Sequence, residues 1–132
     1  NTALETSPEE KKAEVLFEMA EIYKVKGDKV TARTYARKSI AAGSSHKSAS
    51  FDLIGDLYFG SFQTCANISL VKSRAVYIAA YEQYQNAGNN TMTSKCKEQF
   101  PSMEEIFTEG MKIGQEVTVE CWIGETVKLD KR

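Results

Sequence analysis

Met19-Ala20-Glu21-Ile22-Tyr23 and Ile54-Gly55-Asp56-Leu57-Tyr58 decide how this chain is read. Each stretch sets a small residue three positions before a Tyr, which helical spacing puts on one face. The two stretches are 35 residues apart. A second pair, Arg37-Lys38-Ser39-Ile40-Ala41-Ala42-Gly43 and Glu82-Gln83-Tyr84-Gln85-Asn86-Ala87-Gly88, recurs at 45 residues. Helix–turn–helix units repeating at about 34 residues are the mark of tetratricopeptide-type repeats. The difference between the two offsets places an insertion between the third and fourth helices, at residues 61–70, and Cys65 lies in it.

Helix signals agree with that frame. Ser7 is an N-cap followed by Pro8, and Glu10 completes a capping box, so a first helix runs over residues 8–26. Val15, Met19, Ile22 and Tyr23 form its apolar stripe, and Gly27 takes the left-handed position that ends it. A second helix covers 29–42, with Ala32, Tyr35, Ala36, Ser39 and Ile40 inward. Helices joined by so short a turn lie antiparallel. Residues 48–60 and 71–87 make the second hairpin, with Val76, Ala79, Ala80 and Tyr84 inward. Tyr77 and Tyr84 depart from the small residues of the repeat pattern. Either the second hairpin is splayed, or these rings fill space opened by the insertion.

The last third changes character. Residues 91–99 and 103–110 read as short helices, the latter capped by Ser102 and Glu105 with Met103, Ile106 and Phe107 inward. Residues 116–123 are rich in strand formers, and Val127 and Leu129 alternate with polar neighbours, which predicts a small β hairpin. The expected fold is mainly α: tetratricopeptide-like αα-hairpin repeats closed by a C-terminal β hairpin. One domain spans 1–132, with a first repeat at 8–43, a second at 48–88 and a cap at 91–132. Trp122 is the candidate anchor of that cap.

Composition narrows the function classes. Acidic residues number 18 against 17 basic ones in 132, a net charge of -1, and the balance is even along the chain. Phosphate-driven nucleic-acid binding wants a basic surface, so it is not expected. The hydrophobic share of 42% excludes a disordered tail. No apolar run is long enough for a membrane span, and no spacing suggests a metal site or a cofactor. Asn1 stands without an initiator Met, which fits either a removed signal peptide or a start inside a longer protein.

Phe100-Pro101-Ser102-Met103-Glu104-Glu105-Ile106-Phe107, with Gly110, Gly114 and Cys121-Trp122-Ile123-Gly124-Glu125-Thr126, is a more specific signal. Together with the Ala79-Ala80-Tyr81 and Tyr84 region it resembles the C-terminal domain of large tetratricopeptide-containing proteins of Bacteroidetes bacteria. The likeness extends from about residue 10 onward. It implies a helical repeat fold with an extended cap, location in the cell envelope or outside the cell, and further repeats ahead of Asn1. It brings no catalytic residue.

The chemistry-bearing residues are weighed singly. In an exported protein Cys65 and Cys96 are a candidate disulfide pair, closing a loop of about 30 residues worth roughly 3–4 kcal/mol, with two ordinary buried or half-exposed thiols as the alternative; Cys121 is expected to pack beside Trp122 as a small hydrophobe. His46 sits alone in a polar turn. Glu104, Glu105 and Glu109 suit capping and solvation better than paired-carboxylate hydrolysis. Asn67-Ile68-Ser69 and Asn89-Asn90-Thr91 match the glycosylation acceptor pattern, a short motif common by chance. The concave side of stacked hairpins would present Glu18, Glu21, Lys24, Asp52 and Asp56. The expected function is therefore a protein–protein interaction module that binds an extended segment or helix of an unidentified protein, with no catalytic residues. The alternatives are a structural cap for preceding repeats of the same chain and, more remotely, a hydrolase.

Overall fold

The computed structural model describes residues 7–132, so Asn1 and the question of what it begins lie outside the described residues. Helix α1 (Pro8–Lys26) starts where the Ser7 hydroxyl accepts from the Glu10 amide at 3.2 Å. It stops at Gly27, whose φ of 83° a side chain would strain. Glu10 does not close the expected capping box. Its carboxylate accepts instead from the Ser44 amide at 2.8 Å, because the loop after the second helix crosses the start of α1. Hydrogen bonds from Ser45 and from that amide hold the Glu10 carboxyl below its ordinary range.

Helix α2 (Lys29–Ala42) follows after two residues, with the Asp28 carboxylate accepting from the Thr31 amide. The two helices meet through alanines: Ala13 and Ala20 of α1 and Ala32 and Ala36 of α2 are fully buried. The Ser39 hydroxyl donates to the Ala13 carbonyl at 2.6 Å in the same seam. That close approach corrects the expected stripe of α1. Val15 and Ile22 sit off the alanine seam and remain half exposed.

Helices α3 (Lys47–Phe59) and α4 (Leu70–Ala87) form the second hairpin, and α3 packs on α2. Here Tyr84 is fully buried at the position matched by Ser39 in the first hairpin. Gly55, matched by Ala20, makes the room: a Cβ there would lie 2.7 Å from the Tyr84 ring. Tyr77 stacks on Phe62 at 5.3 Å and meets Phe59 edge-on at 5.4 Å. It therefore fills space beside the insertion.

Helix α5 (Asn90–Glu98) packs on α4, and α6 (Met103–Thr108) opens with the expected Ser102–Glu105 capping box. Of its three expected inward residues only Ile106 is buried; one turn and a half offers a single face to the core, and Phe107 points out, 68% exposed. Strands β1 (Glu116–Thr118) and β2 (Thr126–Lys128) pair antiparallel with Val117 opposite Val127. The predicted strand over 116–123 is cut short. The Cys121 and Gly124 amides both donate to the Val119 carbonyl, so Cys121-Trp122-Ile123 form a turn. Among the described residues the chain is mainly helical with this one small sheet, and a hydrophobic cluster runs from Ala20 to Leu129. No helix among the described residues is long and apolar enough to cross a membrane.

The expected Cys65–Cys96 bridge is not formed. Cys65 is bonded to Cys121, with Cα atoms 5.5 Å apart, and Cys96 is a buried free thiol. The C-terminal turn folds back over the α2–α3 seam and reaches the insertion, while Cys96 faces the core from α5, its pKa pushed up to about 12 by burial. Non-reducing peptide mapping should yield a Cys65–Cys121 peptide, with Cys96 alkylated only after unfolding. Cys65→Ser should cost about 4 kcal/mol in the chain-entropy account of a loop this long. Gly55→Ala should cost ~1–3 kcal/mol in denaturant unfolding, since the new methyl group overpacks Tyr84.

Candidate interaction groove

Between α1 and α3 runs a groove of about 390 Å³. Phe17, Val25, Ala49 and Leu53 give it apolar walls, and Glu21, Lys24, Asp52 and Asp56 give it charge. Four of the five residues singled out from the sequence therefore line one depression. Glu18 lies beside it, in a shallower hollow along α1 with Glu21, Ile22, Val25 and Lys26. Steps of three and four residues bring Phe17, Glu21 and Lys24 onto one flank of α1, and Asp52 and Asp56 onto the facing flank of α3.

The carboxylates in the groove are not equivalent. Lys24 Nζ reaches Asp56 at 3.3 Å, a half-exposed ion pair worth at most about 1 kcal/mol. Asp56 also accepts from the Tyr84 hydroxyl, and burial together with this bond pushes the phenol pKa up. Asp52 accepts from Asn89 Nδ2 at 2.6 Å, while Asn89 Oδ1 caps α5 through the Met92 amide. Asp52 and Asp56 thus serve the second hairpin as well as the groove. Glu18 and Glu21 are exposed, with no such partner among the described residues. Tyr84 and Asn89 were not anticipated as supports of the groove. The only sequence signal for Tyr84 was a bulky ring at a position the repeat pattern keeps small.

The opposite side of the hairpins is closed by the cap. Arg33 of α2 donates to the Ile123 carbonyl at 2.7 Å, the Trp122 carbonyl at 3.1 Å and the Tyr58 hydroxyl at 3.0 Å. Its guanidinium lies 4.9 Å from the Trp122 ring centroid. The indole N–H donates to Ser61 Oγ at 3.2 Å, and Tyr58 donates to Glu125, which Arg37 also approaches at 3.5 Å. Burial and then the Glu125 bond push the Tyr58 pKa up to about 12. Glu109, at the end of α6, accepts from the Ser69 hydroxyl and the Val71 amide at the start of α4. Glu105 is used in its cap, so these acids hold helix ends together. His46 lies against Phe17 with Nδ1 2.9 Å from Ser45 Oγ.

No family model, curated protein or solved structure matches this chain.

The cap carries two carboxyls held below their ordinary values. The Ser102 amide lowers Glu105, helped by Arg132 and Arg74; Lys97 lowers Asp130. A lowered folded pKa favours the folded state at neutral pH. That stabilisation is present above the ordinary values of 4.5 for Glu105 and 3.8 for Asp130, and is lost as pH falls through the lower folded ones. Trp122 emission should therefore report loosening of the cap as pH drops below about 4, before the hairpins lose far-UV helicity. Lys97→Ala should move that transition to higher pH.

Proposed function

We propose that this chain is a tetratricopeptide-like interaction module that binds a protein segment in the α1–α3 groove and performs no bond chemistry. One observation carries this reading: charged residues from two consecutive hairpins converge on one apolar-walled depression. The exposed carboxylates of Glu18 and Glu21, set beside Ile22 and Val25, suit a segment that alternates apolar and basic side chains. Lys24 is already engaged by Asp56, so the net field of the groove is acidic. The repeat offset of α1 and α3 and the resemblance to Bacteroidetes C-terminal domains support the tetratricopeptide assignment. The Cys65–Cys121 bond supports residence in the cell envelope or outside the cell, because such bonds persist in oxidising compartments.

The test uses Glu18→Lys/Glu21→Lys, which leaves the supports at Asp52 and Asp56 untouched. Capture from envelope extracts should retain a partner with the native chain and with the remote control Glu116→Lys. The double variant should lose it by tenfold or more, about 1.4 kcal/mol, and native capture should weaken as salt rises. Equal capture by all three proteins would sink the proposal.

A further inference from the structure

The α1–α3 groove holds a surplus of negative charge. Glu21, Asp52 and Asp56 bring three carboxylates to it against the one ammonium of Lys24, between the apolar walls of Phe17 and Leu53. A segment that fits it carries a cation beside an apolar side chain and stands clear of its own fold.

This chain presents such a segment at its other end. Met111-Lys112-Ile113 lies outside the helices and strands, between Gly110 and Gly114, both in the left-handed region with φ of 74° and 85°. Met111 packs against the core, and its amide donates to the Ile106 carbonyl at 3.0 Å. The Lys112 amide donates to Gln115 Oε1 at 3.2 Å, and Gly114 donates to the Leu129 carbonyl at 2.8 Å. The loop is thus shaped before any encounter, and a pre-shaped loop loses little freedom on binding. What it offers outward is Lys112, exposed, and Ile113, 43% exposed. Lys112 pairs with no carboxylate among the described residues. The acids that flank the loop in sequence are engaged: Glu109 accepts from Ser69 and the Val71 amide, and Glu116 stands across from Lys128 in the strand register.

The cap docks on α2 through Arg33 and packs on α4, on the opposite side of the hairpins from the groove, so loop and groove meet only between copies. From this complementarity we infer that the α1–α3 groove takes the Gly110–Gly114 loop of a second copy of this chain. Lys112 meets Glu21 and Asp52, and Ile113 lies against Phe17 and Leu53. The inference rests on the groove reading under Proposed function and names the occupant. The contact is heterologous: each copy offers one loop and one groove, so assembly runs head to tail and ends only if a ring closes.

The test is sedimentation of the purified 132-residue chain over a range of concentration and salt. The native chain should associate beyond the monomer, less so as salt rises. Lys112→Glu and Glu21→Lys, both at exposed positions, should each weaken association by about tenfold or more. Mixed together, the two variants should form a one-to-one pair, because the Glu21→Lys copy keeps an intact loop and the Lys112→Glu copy an intact groove. That pairing also shows both variants to be folded. A native chain that stays monomeric, association indifferent to either substitution, or no pairing in the mixture would overturn the inference. A monomeric chain whose capture of a partner from extracts still depends on Glu18 and Glu21 removes the second copy as occupant and leaves the groove reading standing; loss of that dependence as well removes both.

Discussion

The guanidinium of Arg33 is the point on which the two ends of the chain agree. Hydrogen bonds from a charged donor are stronger than neutral ones, and this donor serves two backbone carbonyls and a phenol at once. The carbonyls belong to a turn that has no regular secondary structure to satisfy them. Fixing that turn brings Trp122 to Ser61 and Cys121 to Cys65. The fork geometry matters as well as the charge, since a Lys could not span both carbonyls while lying over the indole.

The clasp also sorts the faces of the molecule. The cap meets α2, the far end of α3 and α4, so the apolar surface on that side is closed. The α1–α3 side receives nothing from the cap. Its groove is open because the chain's own C-terminal segment is committed elsewhere, and two of its acidic residues, Asp56 and Asp52, are positioned by bonds that originate in α4 and before α5. A change at Tyr84 or Asn89 would therefore be felt in the groove without either residue facing it.

Local signals in the sequence carried far. Ser7, Asp28, Ser69, Asn89 and Ser102 each cap a helix, and Gly27 and Gly88 each end one, so the helices fall within a residue or two of where caps and period place them. That Glu21 and Lys24 on α1 and Asp52 and Asp56 on α3 line one depression was legible because helical spacing sets which side chains share a flank, whereas its apolar walls, Phe17, Val25, Ala49 and Leu53, were not singled out. What was not legible depended on distant contacts. The stripe of α1 was misjudged because Ala13 and Ala20 look weak in a hydrophobic pattern, yet they are fully buried where α1 meets α2. The Cys65–Cys121 pairing needed the return path of the cap, and that path is set by Arg33, a residue that reads in sequence as one more surface cation.

The partners of the clasp are 89 and 90 residues apart along the chain. Within each hairpin, by contrast, the contacts join neighbours across a short turn or a single loop. Helical hairpins with local contacts form on fast timescales, whereas long-range closure is slow because chain entropy must be lost before any contact compensates it. Maturation of this protein therefore has two clocks. The groove depends mainly on the fast one, since α1, α3 and α4 define it. The disulfide belongs to the slow one, because Cys65 and Cys121 are 56 residues apart and joining them carries the same chain-entropy cost.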